Sequence, residues 1–217
     1  EMLTRITDFL EQNLRATNAG FIEGLPASSL RRQNPHMHLF EAFIAAYEAT
    51  KNKRYLDLAC EIYELFEAHF IDAESGLLRE FFTQDWRADP KTGHLTEPGH
   101  LMEWAWLLHS FEAVSGRDTR AHAVRFFDAA VIMGTNPVTG LLINEMSLSG
   151  EPTKLQSRLW PQTEYIKASV ARAQFGIEGA SQDCAQMIDT MFTQYLNTPV
   201  KGGWHDERSE TGALNGH

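Results

Sequence analysis

The 217 residues predict an all-α fold, an (α/α)6 toroid or part of one, built from helix-pair-plus-hairpin repeats of about 63 residues. Three observations predict it. Prolines recur at Pro35, Pro98 and Pro161, 63 residues apart each time. Gly76-Leu77-Leu78 is echoed by Gly140-Leu141-Leu142 and more weakly by Gly203-Trp204, at intervals of 64 and 63 residues. Between each proline and the next glycine lie two helical stretches, the first apolar nearly all round and the second amphipathic.

In order along the chain, a leading helix ends at Gly20-Phe21, the close of an earlier, shorter unit. The first full unit opens with Asn34 as a helix N-cap and Pro35 at the first helical position, where a missing N–H costs nothing. Its helix, Pro35 to Thr50, carries Met37, Leu39, Phe40, Phe43 and Ile44 on all sides, so it belongs inside. Arg54 to Phe70 follows, with Tyr55, Leu58, Ala59, Ile62, Tyr63 and Phe66 along one stripe. Leu77 to Phe82 reads as a short strand after a turn. The second unit repeats the pattern with Pro98–Ser115 and Thr119–Met133, and the third with Pro161–Phe175 and Ala180–Leu196. Buried first helices favour an inner ring wrapped by an outer one. Helical-repeat scaffolds for protein binding use shorter units, roughly 34–47 residues. The whole chain, 1–217, is expected to form one domain.

Composition narrows the function. Hydrophobic residues make up 43%, enough for a sizeable core. A formal net charge of -10 argues against nucleic acid and anionic membranes, which need a basic patch. Cys60 and Cys184 make neither a disulfide framework nor a zinc site and read as buried free thiols of a cytoplasmic protein. No apolar run is long enough to span a bilayer.

Charged groups on a buried helix need a reason. Here they gather where the inner helices begin: His36, His38 and Glu41; then Glu97, His100 and Glu103; then Trp160, Gln162, Glu164 and Lys167. Equivalent starts in a ring face the same end of the barrel, so these residues converge on one cavity mouth. His38/Glu41 and His100/Glu103 are i, i+3 pairs on one helix face. A carboxylate beside an imidazole fixes its tautomer and raises its basicity, which prepares a general acid/base. One such pair alone reads as a satisfied structural histidine; two at equivalent positions read as a site. His36 and His38 point apart on a helix, and no metal-ligand spacing is present, so no metal is expected. Among the tryptophans, Trp104, Trp106 and Trp204 read as core. Trp160, just before a repeat proline, offers a flat face for a sugar ring. His69, His109 and His122 receive no role.

Arg32-Gln33-Asn34-Pro35-His36-Met37-His38-Leu39, Glu97-Pro98-Gly99-His100 with Glu103-Trp104, and Trp160-Pro161-Gln162-Thr163-Glu164 resemble motifs of the N-acylglucosamine 2-epimerase family. Gly203-Trp204 resembles that family's last hairpin, so the likeness runs over nearly the whole chain. It implies an (α/α)6 barrel, free sugars as substrates, and proton transfer through a cis-enediol without metal or other cofactor. The Glu-Pro-Gly-His form is closer to the aldose–ketose, mannose-type isomerases of the family. Carried over by motif, His100, His38 and Glu103 are the catalytic residues, with His100 the acid/base and His38 and Glu103 assisting ring opening. Asn34, Trp160, Gln162, Glu164 and Glu97 are the expected sugar contacts. The alternatives are a glycosidase or lyase working through two acids such as Glu97 and Glu164, and a non-catalytic sugar-binding module.

Seven helices fall short of the twelve in a closed ring, so the 217 residues are expected to be part of a longer chain and inactive alone. The family's second catalytic histidine and a sugar-gripping arginine have no counterpart here, and His217 follows the last hairpin too soon to be that histidine. Uncovered apolar faces favour self-association, a homodimer included. Independence from metal gives a first prediction: dialysis of the full-length protein against a chelator leaves its activity unchanged, and a loss restored by zinc or manganese contradicts it.

Overall fold

The computed structural model describes residues 1–214; His217 lies outside them. Helix α1, Met2–Asn13, comes first. Then follow three pairs: α2 (Asn34–Thr50) with α3 (Lys53–Leu65), α4 (Pro98–Ser115) with α5 (Arg120–Ile132), and α6 (Leu159–Gln174) with α7 (Ala180–Met191). Helices α3 and α7 each run on into one π-helical turn, Phe66–Phe70 and Phe192–Leu196. The strands are only two or three residues long, so the class is all-α as predicted.

Each inner helix is reached through a strand, and that strand pairs with the one following its own outer helix. Strand β1 (Arg31–Arg32) pairs antiparallel with β2 (Phe81–Phe82), Arg31 opposite Phe82. Strand β3 (Leu95–Thr96) pairs with β4 (Glu145–Ser147), which also pairs with β5 (Pro152–Lys154). Strand β6 (Ser157–Arg158) pairs with β7 (Glu207–Arg208). These short ladders clasp each unit at one end and hold the inner-helix starts in common register.

Helices α2, α4 and α6 form the inner arc, with α4 packed against both others; α3, α5 and α7 back them from outside. The reason is visible in α4: Leu101, Met102, Trp104, Ala105, Leu107, Leu108 and Phe111 are all fully buried, on every side of the helix. On α3 only one stripe is buried, including Tyr55, Leu58, Ile62 and Tyr63. Arg54 of α3 holds Asp8 and Glu11 of α1, which keeps α1 on the outside. None of the helices among the described residues is long and apolar enough to cross a membrane.

Several expectations need correcting. Gln33, not Asn34, is the N-cap of α2, and Asn34 is the first helical residue. Helix α6 starts two residues early, so Pro161 is its third residue; proline is tolerated throughout the first turn. The strand predicted over Leu77–Phe82 shrinks to β2 and a bridge between Ile71 and Leu78. Cys60 and Cys184 are free but only half-buried. Trp204 is 63% exposed rather than core. Exposed apolar side chains gather on α1 (Met2, Ile6, Phe9) and after α7 (Phe192, Val200, Trp204), and the inner helices add Val170 of α6.

The core is aromatic at its centre. Trp104 stacks on Phe66 at 4.4 Å and on Phe40 at 5.3 Å between ring centroids. Its indole N–H donates to Gln33 Oε1 at 2.7 Å, and Gln33 is fully buried. Trp104→Ala is predicted to cost about 3–5 kcal/mol through the cavity it leaves. Trp104→Phe keeps an aromatic ring but leaves a smaller cavity and orphans the Gln33 carbonyl, the lost bond alone costing about 1–3 kcal/mol. Urea denaturation checks both, and an unchanged stability for Trp104→Phe would show that the bond contributes nothing.

Candidate active site

A cavity of about 540 Å³ opens where the inner helices begin. Helix α2 contributes Asn34, His38 and Glu41; α4 contributes His100 and Glu103; α6 contributes Trp160, Glu164 and Lys167. Arg32, Glu80, Phe81, Glu97 and Arg158, from the strands and the segments beside them, complete the wall. Seven of the eight residues singled out from the sequence therefore meet at one place. The eighth, Gln162, does not: it is fully buried, its Oε1 accepts the Leu142 N–H and its Nε2 donates to the Leu142 and Arg158 carbonyls. It staples the preceding hairpin to α6 and makes no part of the wall.

His36 does the same two units earlier. Its Nε2 accepts the Phe21 N–H at 2.9 Å and its Nδ1 faces the Arg32 carbonyl at 3.2 Å. Burial lowers its pKa to about 4, so the ring is neutral. Gly20 must be glycine there: its φ is +71°, and a Cβ would meet His36 Nε2 at 2.6 Å.

His100 is the centre of the site. Its Nδ1 lies 3.0 Å from Glu80 Oε2, and its Nε2 lies 3.0 Å from Asn34 Nδ2. Glu97 stands 3.8 Å from Nδ1, and the Trp160 ring lies 5.1 Å from the imidazole. Burial disfavours a charge on His100, but Glu80, then Glu97 and Glu103, outweigh it and raise the pKa to about 9. Glu97 and Glu103 are both pushed up to about 7, chiefly by burial, with Glu80 adding repulsion on Glu97 and Glu164 on Glu103.

Helix spacing gave the wrong partner for one histidine. Glu103 sits one turn from His100 yet contacts His38, with Oε1 3.4 Å from His38 Nδ1; Glu41 is 3.7 Å from the same nitrogen. The carboxylate that holds His100 is Glu80, which sequence reasoning missed. A signal was present: Leu78, Glu80 and Phe82 are the buried positions of an alternating segment, and a charge at a buried register marks a special residue. Across the cavity, Glu164 accepts from the Trp106 indole at 2.8 Å and from Lys167 at 2.9 Å. Lys167 also lies 4.0 Å from the Trp106 ring centroid, so Trp106 is half-buried wall support rather than core.

Ligand atoms of His38, Glu41 and Glu103 lie within 4.8 Å of one another, the one such group found among the described residues. Sequence spacing could not show it, because Glu103 comes from another helix. These three side chains are the ones a chelator-sensitive metal would need.

Trp160 approaches His100 because Gly99 has no side chain. A Cβ there would meet Trp160 Cη2 at 2.4 Å and Pro161 Cβ at 3.0 Å. Gly99→Ala is predicted to push Trp160 off its position and to destabilise by about 1–3 kcal/mol through overpacking. A crystal structure and a denaturation curve check this, and an unmoved indole with unchanged stability contradicts it.

The sequence profile of the N-acylglucosamine 2-epimerase (GlcNAc 2-epimerase) family matches residues 1–216. A mannose-6-phosphate isomerase of Rhizobium meliloti is 39% identical over 94% of this chain and 55% of its own length. A D-mannose isomerase of Thermobifida fusca is 30% identical over 83% of this chain and 48% of its own. The crystal structure of a D-mannose isomerase superposes with a TM-score of 0.84 at 21% identity, covering 98% of this chain and 59% of that one, which establishes the α/α toroid. The chain spans about half the length of the curated relatives it matches. With its inner-helix motifs and its helical arc in place, the chain belongs to the N-acylglucosamine 2-epimerase family.

Proposed function

We propose that the full-length protein interconverts free aldoses and ketoses of the mannose type, with 2-epimerisation as the related outcome, by proton transfer at His100. The observation that carries this is a buried imidazole with one nitrogen on a carboxylate and the other turned to Asn34 at the cavity wall. Such a group removes a proton from a carbon next to a carbonyl.

In the open-chain sugar the C2–H bond breaks and its proton passes to Nε2 of the neutral form of His100, the minor form near neutrality because its pKa is raised to about 9. The electron pair forms the C1–C2 double bond, and O1 takes a proton from a neutral carboxyl. Glu103, pushed to about 7, has that proton available near neutrality. Return of the proton from Nε2 to C1, with the O2 proton passing to the carboxylate that protonated O1, gives the ketose. Return to the opposite face of C2 gives the epimer and needs a base across the sugar. His38, held by Glu103 and Glu41, is placed to open the ring by moving a proton between O1 and O5. Trp160 supplies a wall for the apolar face of the sugar.

The charge balance favours an uncharged sugar. Five carboxylates line the cavity: Glu41, Glu80, Glu97, Glu103 and Glu164. Its three fixed cations already have partners, Arg32 with Glu23, Lys167 with Glu164 and Arg158 with Asp206. A phosphate would have to displace a carboxylate partner from each of them. The glycosidase alternative is weakened because both oxygens of Glu164 are engaged by Trp106 and Lys167.

His100→Asn in the full-length protein is predicted to cut solvent-deuterium exchange into mannose or fructose by about 10²–10⁴-fold. Substantial exchange in that variant contradicts the assignment. Free mannose is predicted to have the higher kcat/KM than its 6-phosphate in the same assay, and the reverse order contradicts the charge argument.

A further inference from the structure

Resting on the proposed proton transfer, we infer that Glu80 is its positioning residue: held by Gln33 and Trp104, it fixes which nitrogen of His100 faces the cavity and keeps that nitrogen able to take and return a proton, with Asn34 serving both states. Glu80 lies outside the three motifs and reaches the site from the segment between α3 and α4.

Its carboxylate is buried and accepts three bonds. Gln33 Nε2 donates to Oε2 at 2.8 Å, the Glu97 N–H donates to Oε1 at 3.2 Å, and His100 Nδ1 lies 3.0 Å from Oε2. The backbone ties the same residues, since the Gln33 N–H donates to the Glu80 carbonyl at 3.1 Å. Gln33 is fixed in turn, its Oε1 taking the Trp104 indole N–H, so its amide presents nitrogen and not oxygen to Glu80. This continuous chain of bonds runs from the aromatic core to the imidazole. A carboxylate accepts only, so Nδ1 keeps its hydrogen and the basic lone pair of neutral His100 is on Nε2.

Asn34 completes the device. In the neutral ring, its Nδ2 donates to Nε2. In the imidazolium, Nε2 carries hydrogen, and rotation of the amide presents Oδ1 as acceptor. An amide offers both roles from one position, which a carboxylate or a hydrophobic side chain does not. The charged groups facing His100 are Glu80 from the α3–α4 connection and Glu97 and Glu103 from its own helix and lead-in; α2 presents Asn34 and α6 the Trp160 ring. Three carboxylates favour the imidazolium against its burial, and Glu80 is the one in direct bond.

The test uses full-length protein with 15N-labelled histidine, the His100 signals identified by their loss in His100→Asn. Glu80→Gln is predicted to weaken the proton affinity of His100 tenfold or more, moving its titration to lower pH by about one unit or more. The acidic limb of the kcat profile moves with it. Glu80→Asp keeps the charge and the raised midpoint but loses reach, so the Nδ1–H tautomer preference weakens and kcat falls with little change in KM. An unaltered His100 midpoint in Glu80→Gln, or an unaltered tautomer in Glu80→Asp, overturns the inference. Because the NMR titration does not depend on turnover, it remains decisive even if His100→Asn proves fully active and the proposed function fails.

Discussion

The bond between Glu80 and His100 is the interaction on which the rest of the site depends. Both side chains are almost entirely out of water. Burying an ion pair costs several kcal/mol per ion unless every remaining donor and acceptor is satisfied. The fold meets that demand by setting Gln33, the Glu97 N–H and Asn34 around the pair and by anchoring Gln33 to Trp104, stacked between Phe40 and Phe66. Core packing and active-site geometry are thus one structure, and a change at Trp104 is felt at an imidazole two hydrogen-bonded residues away.

The repeat explains both the scaffold and where it diverges. The residue after each repeat proline is His36, Gly99 or Gln162. His36 and Gln162 use that position to accept a backbone N–H from the preceding hairpin. In the middle unit the same position is empty of side chain, and the space goes to the Trp160 ring beside His100. Two units are stapled to their neighbours, and the central one trades its staple for a pocket wall.

The helix pairs, their burial and the convergence of polar residues at the inner-helix starts were legible in the sequence, because proline spacing and apolar periodicity report backbone geometry directly. Pairings across helices were not. The i, i+3 rule placed Glu103 with His100, whereas α2 and α4 pack closely enough for Glu103 to meet His38 instead. Gln162 looked like a sugar contact because its motif neighbours are, yet it lies on the helix face turned from the cavity. Asn34 looked like a cap, but its amide is aimed at His100. The alternation of Leu78, Glu80 and Phe82 marked Glu80 as buried, but its partner His100 lies on another element, which spacing does not report.

The most direct test of the account is a crystal structure of the full-length protein with an open-chain polyol such as mannitol, which resembles the ring-opened sugar but cannot react. The account predicts C1 and C2 in direct contact with His100 Nε2, within about 4 Å, with Trp160 against the carbon chain and Glu80 still on Nδ1. A polyol whose C1 and C2 lie at the Glu164–Lys167 wall, with His100 Nε2 facing no carbon of the ligand, would contradict it.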